Sequence, residues 1–302
     1  MVKLHSLQIG SARIGGSLGS GSGLLCGSIF YDKHSIVSDA FAGDFDPDKA
    51  GRLLDRATML GERYGVQMAI DVIAASEVAM DKFLAFTAAR TLLPMMINAT
   101  EADVRVAGLK TADRLGVLDR CIFASLNEDT EAHELEALGR HRPAAVMVLA
   151  NDPSDPTPEG SCNMVEERFH PMLREIGVEV PIVDLGAMDP PSVGIAMRGI
   201  TAIRQRFGYP AGCAFSNCFP QWTGMKALGK DWVNLSLAAA LVACRAAGGD
   251  FLHYGLIEKS HVMAHVAGSA EVFYGFAAQE LDGQPLPKGH ALLKMFKLTP
   301  LE

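Results

Sequence analysis

Short apolar runs recur along the chain, and each one is followed by polar residues and then by a segment of helical periodicity. Continuous apolar runs of this length are typical of strands in a parallel sheet that is covered on both faces, whereas the longer periodic segments predict amphipathic helices. Eight strands are predicted, at residues 24–30, 67–70, 92–97, 121–124, 144–150, 180–183, 212–215 and 251–254.

A predicted helix follows every strand. The helices are expected at residues 48–64, from the cap Ser76 onward, and at 100–115, 129–138, 162–176, 191–207, 231–247 and 261–279. Eight strand–helix units in roughly 250 residues have the size and rhythm of an α/β protein with a (β/α)₈ TIM barrel. The competing doubly wound sheet usually brings a glycine phosphate-binding sequence after its first strand, and residues 24–30 lack one.

The first 23 residues stand outside this repeat. Leu4, Leu7 and Ile9 alternate with polar residues, which predicts a short β-hairpin over residues 3–15 with a turn near Gly10. Residues 15–23 are a connection rich in glycine and serine. We therefore expect residues 1–23 to be a hairpin and its connection, and residues 24–302 to be a single barrel domain.

Composition narrows the possible partners. The formal net charge is −8 and no cluster of Lys and Arg stands out, which argues against nucleic acid as a ligand. No apolar run approaches the roughly 20 residues that span a bilayer, and the N-terminus lacks the apolar core of a signal peptide, so a cytoplasmic location without membrane contact is expected. The six cysteines are scattered, and without a His or Cys partner at ligand spacing Cys213 and Cys218 do not predict a zinc site.

The polar residues that end the strands are the candidates for chemistry, because the active site of a (β/α)₈ barrel lies at the C-terminal ends of its strands. These residues are Asp71, Asn98, Ser125 or Asn127, Asn151 or Asp152, Asp184, Asn217, and His253 or Tyr254. No lysine is among them, which disfavours Schiff-base chemistry, and no two histidines have the spacing of metal ligands. A Ser-His-Asp set is not evident either.

Carboxylates and amides suit a flat nitrogen heterocycle, since a carboxylate accepts two N–H bonds from an amidine-like edge and an amide both donates and accepts. A reduced pterin has such an edge. The competing interpretation is that polar residues after strands only cap helices, and we expect this of Ser76, Thr100 and Asp129.

Two loops are unusual. Residues 151–160 carry three prolines and several acidic residues, and they are predicted to border the mouth of the barrel. Residues 31–47 are also long and are interpreted as a lid or a docking surface. The loop after the seventh strand contains Pro220 and Trp222.

Four segments carry a resemblance to a known family: 26–31 (CGSIFY), 68–71 (MAID), 151–160 (NDPSDPTPEG) and 212–217 (GCAFSN). They resemble the H subunit of tetrahydromethanopterin S-methyltransferase. They are equally similar to its stand-alone bacterial relatives, which transfer methyl groups between a corrinoid (methylcobalamin) protein and tetrahydrofolate. The resemblance covers nearly the whole chain, and its wider group consists of pterin-binding TIM barrels.

The resemblance implies a site and its partners. Asp71, Asn98 and Asp184 would bind the pterin ring together with Asn151 and Ser216. Asn217 would be the catalytic residue, beside the N5 nitrogen that carries the methyl group. Tetrahydrofolate is preferred over tetrahydromethanopterin as the methyl carrier, and a homodimer is expected. The chain has no cobalamin-binding Asp-x-His-x-x-Gly segment, so the cobalamin would be carried by a partner corrinoid protein.

Two alternatives stay open. A dihydropteroate synthase shares the pterin site but needs a phosphate site with cationic residues, for which His253 is the only strand-end candidate. A non-catalytic pterin-binding subunit of a methyltransferase complex would keep the barrel without turnover.

Overall fold

A computed structural model describes residues 2–219 and 222–299 of the chain. Its strands are β1 (Ser6–Ile9), β2 (Ala12–Gly15), β3 (Leu24–Ile29), β4 (Val37–Asp39), β5 (Asp44–Phe45), β6 (Gln67–Ile73), β7 (Met95–Asn98), β8 (Cys121–Leu126), β9 (Ala145–Leu149), β10 (Ile182–Asp184), β11 (Ala211–Cys213) and β12 (Phe251–Leu256).

The helices alternate with the strands. They are α1 (Pro47–Tyr64), α2 (Glu77–Arg90), α3 (Ala102–Arg114), α4 (Ala132–Arg140), α5 (Pro158–Asn163), α6 (His170–Glu175), α7 (Val193–Arg206), α8 (Thr223–Leu228), α9 (Lys230–Ala246), α10 (Ser260–Asp282) and α11 (Ala291–Met295). One π-helical turn, Met164–Phe169, joins α5 to α6 without a break, so the two form one helical segment.

Eight strands close into a parallel barrel in the order β10, β11, β12, β3, β6, β7, β8, β9. Strands that follow one another in the chain are neighbours in space, as right-handed strand–helix–strand units require. The predicted (β/α)₈ TIM barrel is therefore confirmed, and the N-terminal β-hairpin formed by β1 and β2 is also present.

The inside of the barrel is lined by the alternate residues of each strand. Those below the mouth are small or apolar and almost completely buried: Leu24, Cys26, Ala69, Met96, Ile122, Ala124, Ala145, Met147, Ile182 and Phe251. Because side chains alternate between the two faces of a strand, the next inward positions are Ser28, Asp71, Asn98, Asp184 and His253. A ring of polar side chains thus lies on top of an apolar interior.

The N-terminal hairpin packs into this interior from the end opposite the mouth. Ile9, Ala12 and Ile14 are buried and belong to the same apolar cluster as the inward strand residues. The Gln67 side chain holds the hairpin to β6, since its Oε1 accepts from Arg13 N at 2.6 Å and its Nε2 donates to Arg13 O at 2.8 Å. Leu4, predicted to be on the apolar face, is exposed because the first strand begins only at Ser6.

The seventh barrel strand is shorter than predicted. It ends at Cys213, and Phe215–Asn217 form a 3₁₀ turn instead of continuing the strand. The reason is that the backbone N–H of Ala214 donates to the carboxylate of Asp184 at 3.1 Å, so the backbone leaves the sheet there. Pro220 of the following loop lies outside the described residues.

Of the three expected caps, Ser76 alone accepts a helix N–H, from Ala79 at 3.1 Å. Glu131, not Asp129, occupies the N-cap position of α4, because the helix begins only at Ala132. Thr100 likewise does not cap α3, whose N-cap position is occupied by Glu101.

The long segment after β3 is attached to the barrel. Tyr31 donates to Glu258 Oε1 at 3.0 Å, and His34 Nε2 lies 2.9 Å from the same oxygen. Farther along, Ser76 Oγ donates to Phe41 O at 2.6 Å, next to the small sheet of β4 and β5. The segment thus has fixed contacts at both of its ends.

Within residues 2–219 and 222–299, no helix combines the length and the apolar character needed to cross a bilayer. The same described residues contain no group of three or more His, Cys, Asp or Glu side chains placed to hold a metal ion. All six cysteines are buried and free of disulfide bonds.

Candidate functional site

The polar ring at the mouth gathers three of the residues predicted from the strand ends. Asp71 on β6 and Asn98 on β7 are in direct contact, with Asn98 Nδ2 donating to Asp71 Oδ1 at 3.0 Å. Asp184 lies on β10, across the barrel from them. Buried Cys26 is close enough to both carboxylates that each raises the pKa of its thiol, after burial itself as the larger cause.

Asp71 is completely buried and fully hydrogen-bonded. Its Oδ2 accepts from Ser28 Oγ at 2.7 Å and lies 2.9 Å from His253 Nε2. Burial alone raises the pKa of a carboxyl, but here the hydrogen bond and charge of His253 oppose it. With the further hydrogen bonds from Ser28 and Asn98, the pKa of Asp71 is held below its ordinary value. Asp71 is therefore an anion that orients its neighbours.

Asp184 is in a different state. Its Oδ1 accepts from the backbone N–H groups of Gly186 at 2.9 Å and Ala214 at 3.1 Å. Burial raises the pKa of the Asp184 carboxyl above its ordinary value, although both N–H groups act in the opposite direction. Its Oδ2 has no hydrogen bond from residues 2–219 or 222–299 and is available to a ligand.

Ser216, His253 and Asp71 form a continuous hydrogen-bonded chain, although the strand ends gave no sign of a Ser-His-Asp set. Ser216 Oγ lies 3.1 Å from His253 Nδ1, and His253 Nε2 lies 2.9 Å from Asp71 Oδ2. A β-bulge in β12 directly follows His253, between His253 and Gly255. Bulges are common next to active sites.

The other two predicted residues lie at the edge of the ring. Asn217 is on the same turn as Ser216, and its side chain is exposed, without a hydrogen bond to the part of the chain that the structure describes. Asn151 follows β9, and its amide lies against Gly186, where an added Cβ would be 3.2 Å from Asn151 Nδ2. Asn151 thus lies next to the loop that carries Asp184.

A cavity of about 400 Å³ opens beside the ring at the ends of β7 and β8. Asn98, Ser125 and Asn127 line it, so two further strand-end candidates border the mouth. Arg105 also reaches this cavity, but it is 2.7 Å from Glu134 and donates to Ala99 O at 2.7 Å. Its charge is therefore already neutralised.

Sequence reasoning missed Ser28 as a site residue, even though it lies within the segment 26–31. The alternation Leu24, Cys26, Ser28 would have placed it inside the barrel at the level of Asp71. His253 was considered only as one of two choices and as a candidate phosphate ligand. Its actual partners come from strands that are far apart in the sequence.

The fold and the ring define a (β/α)₈ barrel whose mouth presents carboxylates, amides and one imidazole. A family model, described as the tetrahydromethanopterin S-methyltransferase MtrH subunit, matches residues 3–285. The chain therefore belongs to the MtrH family, the H subunits of tetrahydromethanopterin S-methyltransferase, as the resemblance predicted.

Individual relatives match over almost their full lengths. The H subunit of this methyltransferase from Methanothermobacter thermautotrophicus is 30% identical, with 96% of this chain and 96% of the relative covered. The one from Methanocaldococcus jannaschii is 27% identical, covering 93% and 94%.

Solved structures with the same fold include dihydropteroate synthases. The enzyme of Xanthomonas albilineans with 4-aminobenzoic acid has a TM-score of 0.64 at 13% identity, covering 91% of this chain and 98% of the other. The enzyme of Thermus thermophilus has a TM-score of 0.59 at 15% identity, covering 89% and 100%. At such low identity these matches show the fold alone.

Proposed function

We propose that this chain binds a reduced pterin at the barrel mouth and transfers a methyl group between pterin N5 and a corrinoid carried by a separate protein. The observation that carries this proposal is the pairing of two unlike carboxylates. Asp71 is buried and saturated with hydrogen bonds, whereas Asp184 keeps Oδ2 available to a ligand among the described residues. Membership in a family of methyltransferase subunits supports the same reaction class.

The ring matches the hydrogen-bonding edge of a pterin. The amino group and ring N–H of that edge are donors, which Asp184 Oδ2 can accept. Asn98 gives its amide N–H to Asp71, so its carbonyl oxygen is left to accept from the ligand as well. Asp71 thereby acts on the ligand through the orientation of Asn98.

In this proposal Asn217 lies beside N5 and positions it for the transfer. Methyl transfer between nitrogen and a corrinoid cobalt is a displacement in which the protein mainly positions its two substrates. The exposed amide of Asn217 on the turn Phe215–Asn217 fits that role, because it is next to the ring yet accessible from the mouth.

The loops around the mouth supply a surface for the corrinoid protein. Together with α8 they expose four large apolar side chains after three of the barrel strands: Phe41, Met188, Trp222 and Leu228. Exposed apolar groups that surround a site are typical of a protein-interaction surface. They support delivery of the corrin by a separate protein.

The structure disfavours the dihydropteroate synthase alternative. The candidate for its phosphate site, His253, has both ring nitrogens engaged, by Asp71 and Ser216. A phosphate at that position would also lie beside an anionic Asp71. A non-catalytic subunit would bind the pterin but fail to turn over, and the experiment below separates it from the enzyme.

The test is calorimetric titration with tetrahydrofolate and with tetrahydromethanopterin, followed by methyl transfer from the methylated pterin to free cob(I)alamin. The preference for tetrahydrofolate stays a prediction, because the relatives are named for tetrahydromethanopterin. We expect one pterin to bind and to be turned over, Asp184→Ala to abolish binding, and Asn217→Ala to reduce the rate more than the affinity. Asp282→Ala, on the exposed end of α10, is the matched control.

Binding without transfer would instead identify a non-catalytic subunit. If the wild-type protein bound neither pterin, the proposal would be wrong.

A further inference from the structure

The Ser216–His253–Asp71 chain goes beyond what holding a pterin requires. Recognition of the ring needs acceptors at fixed positions, and Asp184 and Asn98 supply them. A buried imidazole with a hydroxyl on one nitrogen and a carboxylate on the other is the arrangement used to move protons. The inference drawn from it rests on the function proposed above.

Hydrogen-bonding partners fix the position of one imidazole proton. Ser28 gives its only hydroxyl hydrogen to Asp71 Oδ2 at 2.7 Å, so at 3.1 Å from His253 Nε2 its oxygen can only accept. Asp71 Oδ2, at 2.9 Å, is also an acceptor. Since both neighbours of Nε2 are acceptors, Nε2 carries a hydrogen whether the ring is neutral or charged.

The second imidazole proton is therefore the mobile one, and it belongs to Nδ1. That nitrogen faces Ser216 Oγ at 3.1 Å, which donates to a neutral ring and accepts from a charged one.

The titratable groups near His253 are Asp71 on β6, Asp184 on β10 and Cys26 on the adjacent strand β3. Asp71 is anionic and in direct contact with Nε2. The Cys26 thiol stays neutral, because burial raises its pKa far above its usual range.

Ser216 is the member of the chain that reaches toward the mouth. It is half-buried and directly precedes Asn217, which the proposed function places beside N5. Gly255 makes this approach possible, since a Cβ there would lie 3.0 Å from Ser216 Cβ. The chain thus runs from the buried Asp71 to the edge of the pterin site.

We propose that Ser216 passes a proton between His253 and pterin N5. In the demethylating direction the N5–methyl bond breaks and the methyl group goes to a cob(I)alamin-type acceptor, which supplies the electron pair of the new bond. The electron pair of the broken bond stays on N5, which takes the hydroxyl hydrogen of Ser216. Ser216 in turn takes the Nδ1 hydrogen of His253, and in the methylating direction the same steps run in reverse.

In this scheme Ser216 is the group that meets the substrate, and His253 acts through it. Asp71 and Ser28 keep Nε2 protonated, so that proton exchange occurs only at Nδ1. The ring releases one proton for each methyl group removed and regains it from the solvent between turnovers.

The first experiment is single-turnover transfer from the methylated pterin to free cob(I)alamin as a function of pH. A positioned acid contributes about 10²–10⁴-fold to a proton-coupled step, so Ser216→Ala should lower the rate by at least about tenfold. The pterin affinity should fall by much less. The wild-type rate should decrease as pH rises, and the profile should be flat in Ser216→Ala and His253→Gln.

Two half-buried residues outside the Ser216–His253–Asp71 chain provide matched controls: Ser269→Ala and His133→Gln should keep both the rate and the pH profile. Ser216→Thr, which retains the hydroxyl, should recover part of the lost rate. His253 is buried, so the His253→Gln variant could fail to fold. In that case Ser216→Ala, at a half-buried position, would still test the proposal.

A second measurement needs neither ligand nor turnover. In ¹⁵N-histidine NMR, the signals of His253 are assigned by their loss in His253→Gln. They should show that Nε2 carries a hydrogen at every pH and that only Nδ1 gains and loses one. A neutral ring protonated at Nδ1 would overturn the proposal, and so would a wild-type rate and pH profile in Ser216→Ala. Either result, with pterin binding and transfer intact, would leave the methyltransferase function standing, whereas absence of pterin binding would overturn both.

Discussion

At the scale of single residues, two buried carboxylates at one mouth have opposite electrostatic states. Donors surround Asp71, and the pKa of its carboxyl is lowered, whereas Asp184 has a raised pKa and keeps Oδ2 without a partner among the described residues. Sites often separate the roles of similar groups by pushing their pKa values apart. Asp71 therefore organises the site, and Asp184 remains to meet the ligand.

This difference predicts that Asp184→Asn stabilises the protein while weakening pterin binding. Because the folded-state pKa of Asp184 is raised, its contribution to stability is present below its ordinary pKa and is lost as pH rises through the folded value. The amide keeps an oxygen for Gly186 and Ala214 but carries no charge. We expect the free energy of unfolding at pH 7 to rise by about 1 kcal/mol and the pterin affinity to fall by about tenfold or more.

Urea denaturation at pH 4 and pH 7, together with calorimetric titration, measures both effects. The gain should shrink at the lower pH, because a larger fraction of the wild-type carboxyl is protonated there. Asp282→Asn serves as the exposed control. A variant that was less stable than the wild type at pH 7 would contradict the argument.

The sequence allowed much of the ring to be predicted because inward positions alternate. Asp71, Asn98 and Asp184 each end an apolar run at an inward position, so they converge once the barrel closes. The contact of Ser216 with His253 could not be predicted in the same way. It depends on the 3₁₀ turn Phe215–Asn217, which interrupts the alternation after β11 without a pattern in the sequence to mark it.

At the scale of elements, the irregular end of β12 matters more for the geometry of the site than the length of the strand does. Gly255 has φ +84°, a conformation that side chains other than glycine rarely adopt, and it lies at the bulge that follows His253. Gly255→Ala should destabilise the fold by about 1–3 kcal/mol because of backbone strain. It should also lower the methyl-transfer rate, because the new Cβ would displace Ser216.

The matched control is Gly139→Ala in α4, where an added Cβ meets nothing within 4 Å. There the substitution should be neutral or stabilising by up to about 1 kcal/mol, since alanine favours a helix. Thermal unfolding and single-turnover rates of both variants test the prediction. Equal stabilities for the two variants would show that the conformation of Gly255 is not strained for alanine.

At the scale of the whole molecule, the fold was predictable from the sequence, whereas the oligomeric state has to be argued from exposed surface. The barrel could be predicted because the same pattern, an apolar strand followed by an amphipathic helix, recurs eight times along the chain. The homodimer stays a prediction. It is supported by the long α10, which exposes Phe273 and Phe276, at 68% and 56% of their accessible surface, on the outside of the barrel.

Light scattering should therefore give twice the chain mass of 32.3 kDa, and Phe273→Glu should reduce it to the mass of one chain. A charge in the centre of an apolar contact is costly because it loses its hydration. Leu92→Glu, equally exposed but placed before β7, is the control and should leave the mass unchanged. A wild-type protein with the mass of one chain would refute the dimer.

The N-terminal hairpin has a kinetic consequence. Ile9, Ala12 and Ile14 close the barrel at the end opposite the mouth, so the pterin must use the mouth both to enter and to leave. In the proposed reaction, the partner that carries the corrin must approach through the same opening. Two reactants that share one entrance must use it in turn, so the proposal orders the events: the pterin binds first, the corrinoid protein then covers it, and the product pterin leaves only after that protein has dissociated.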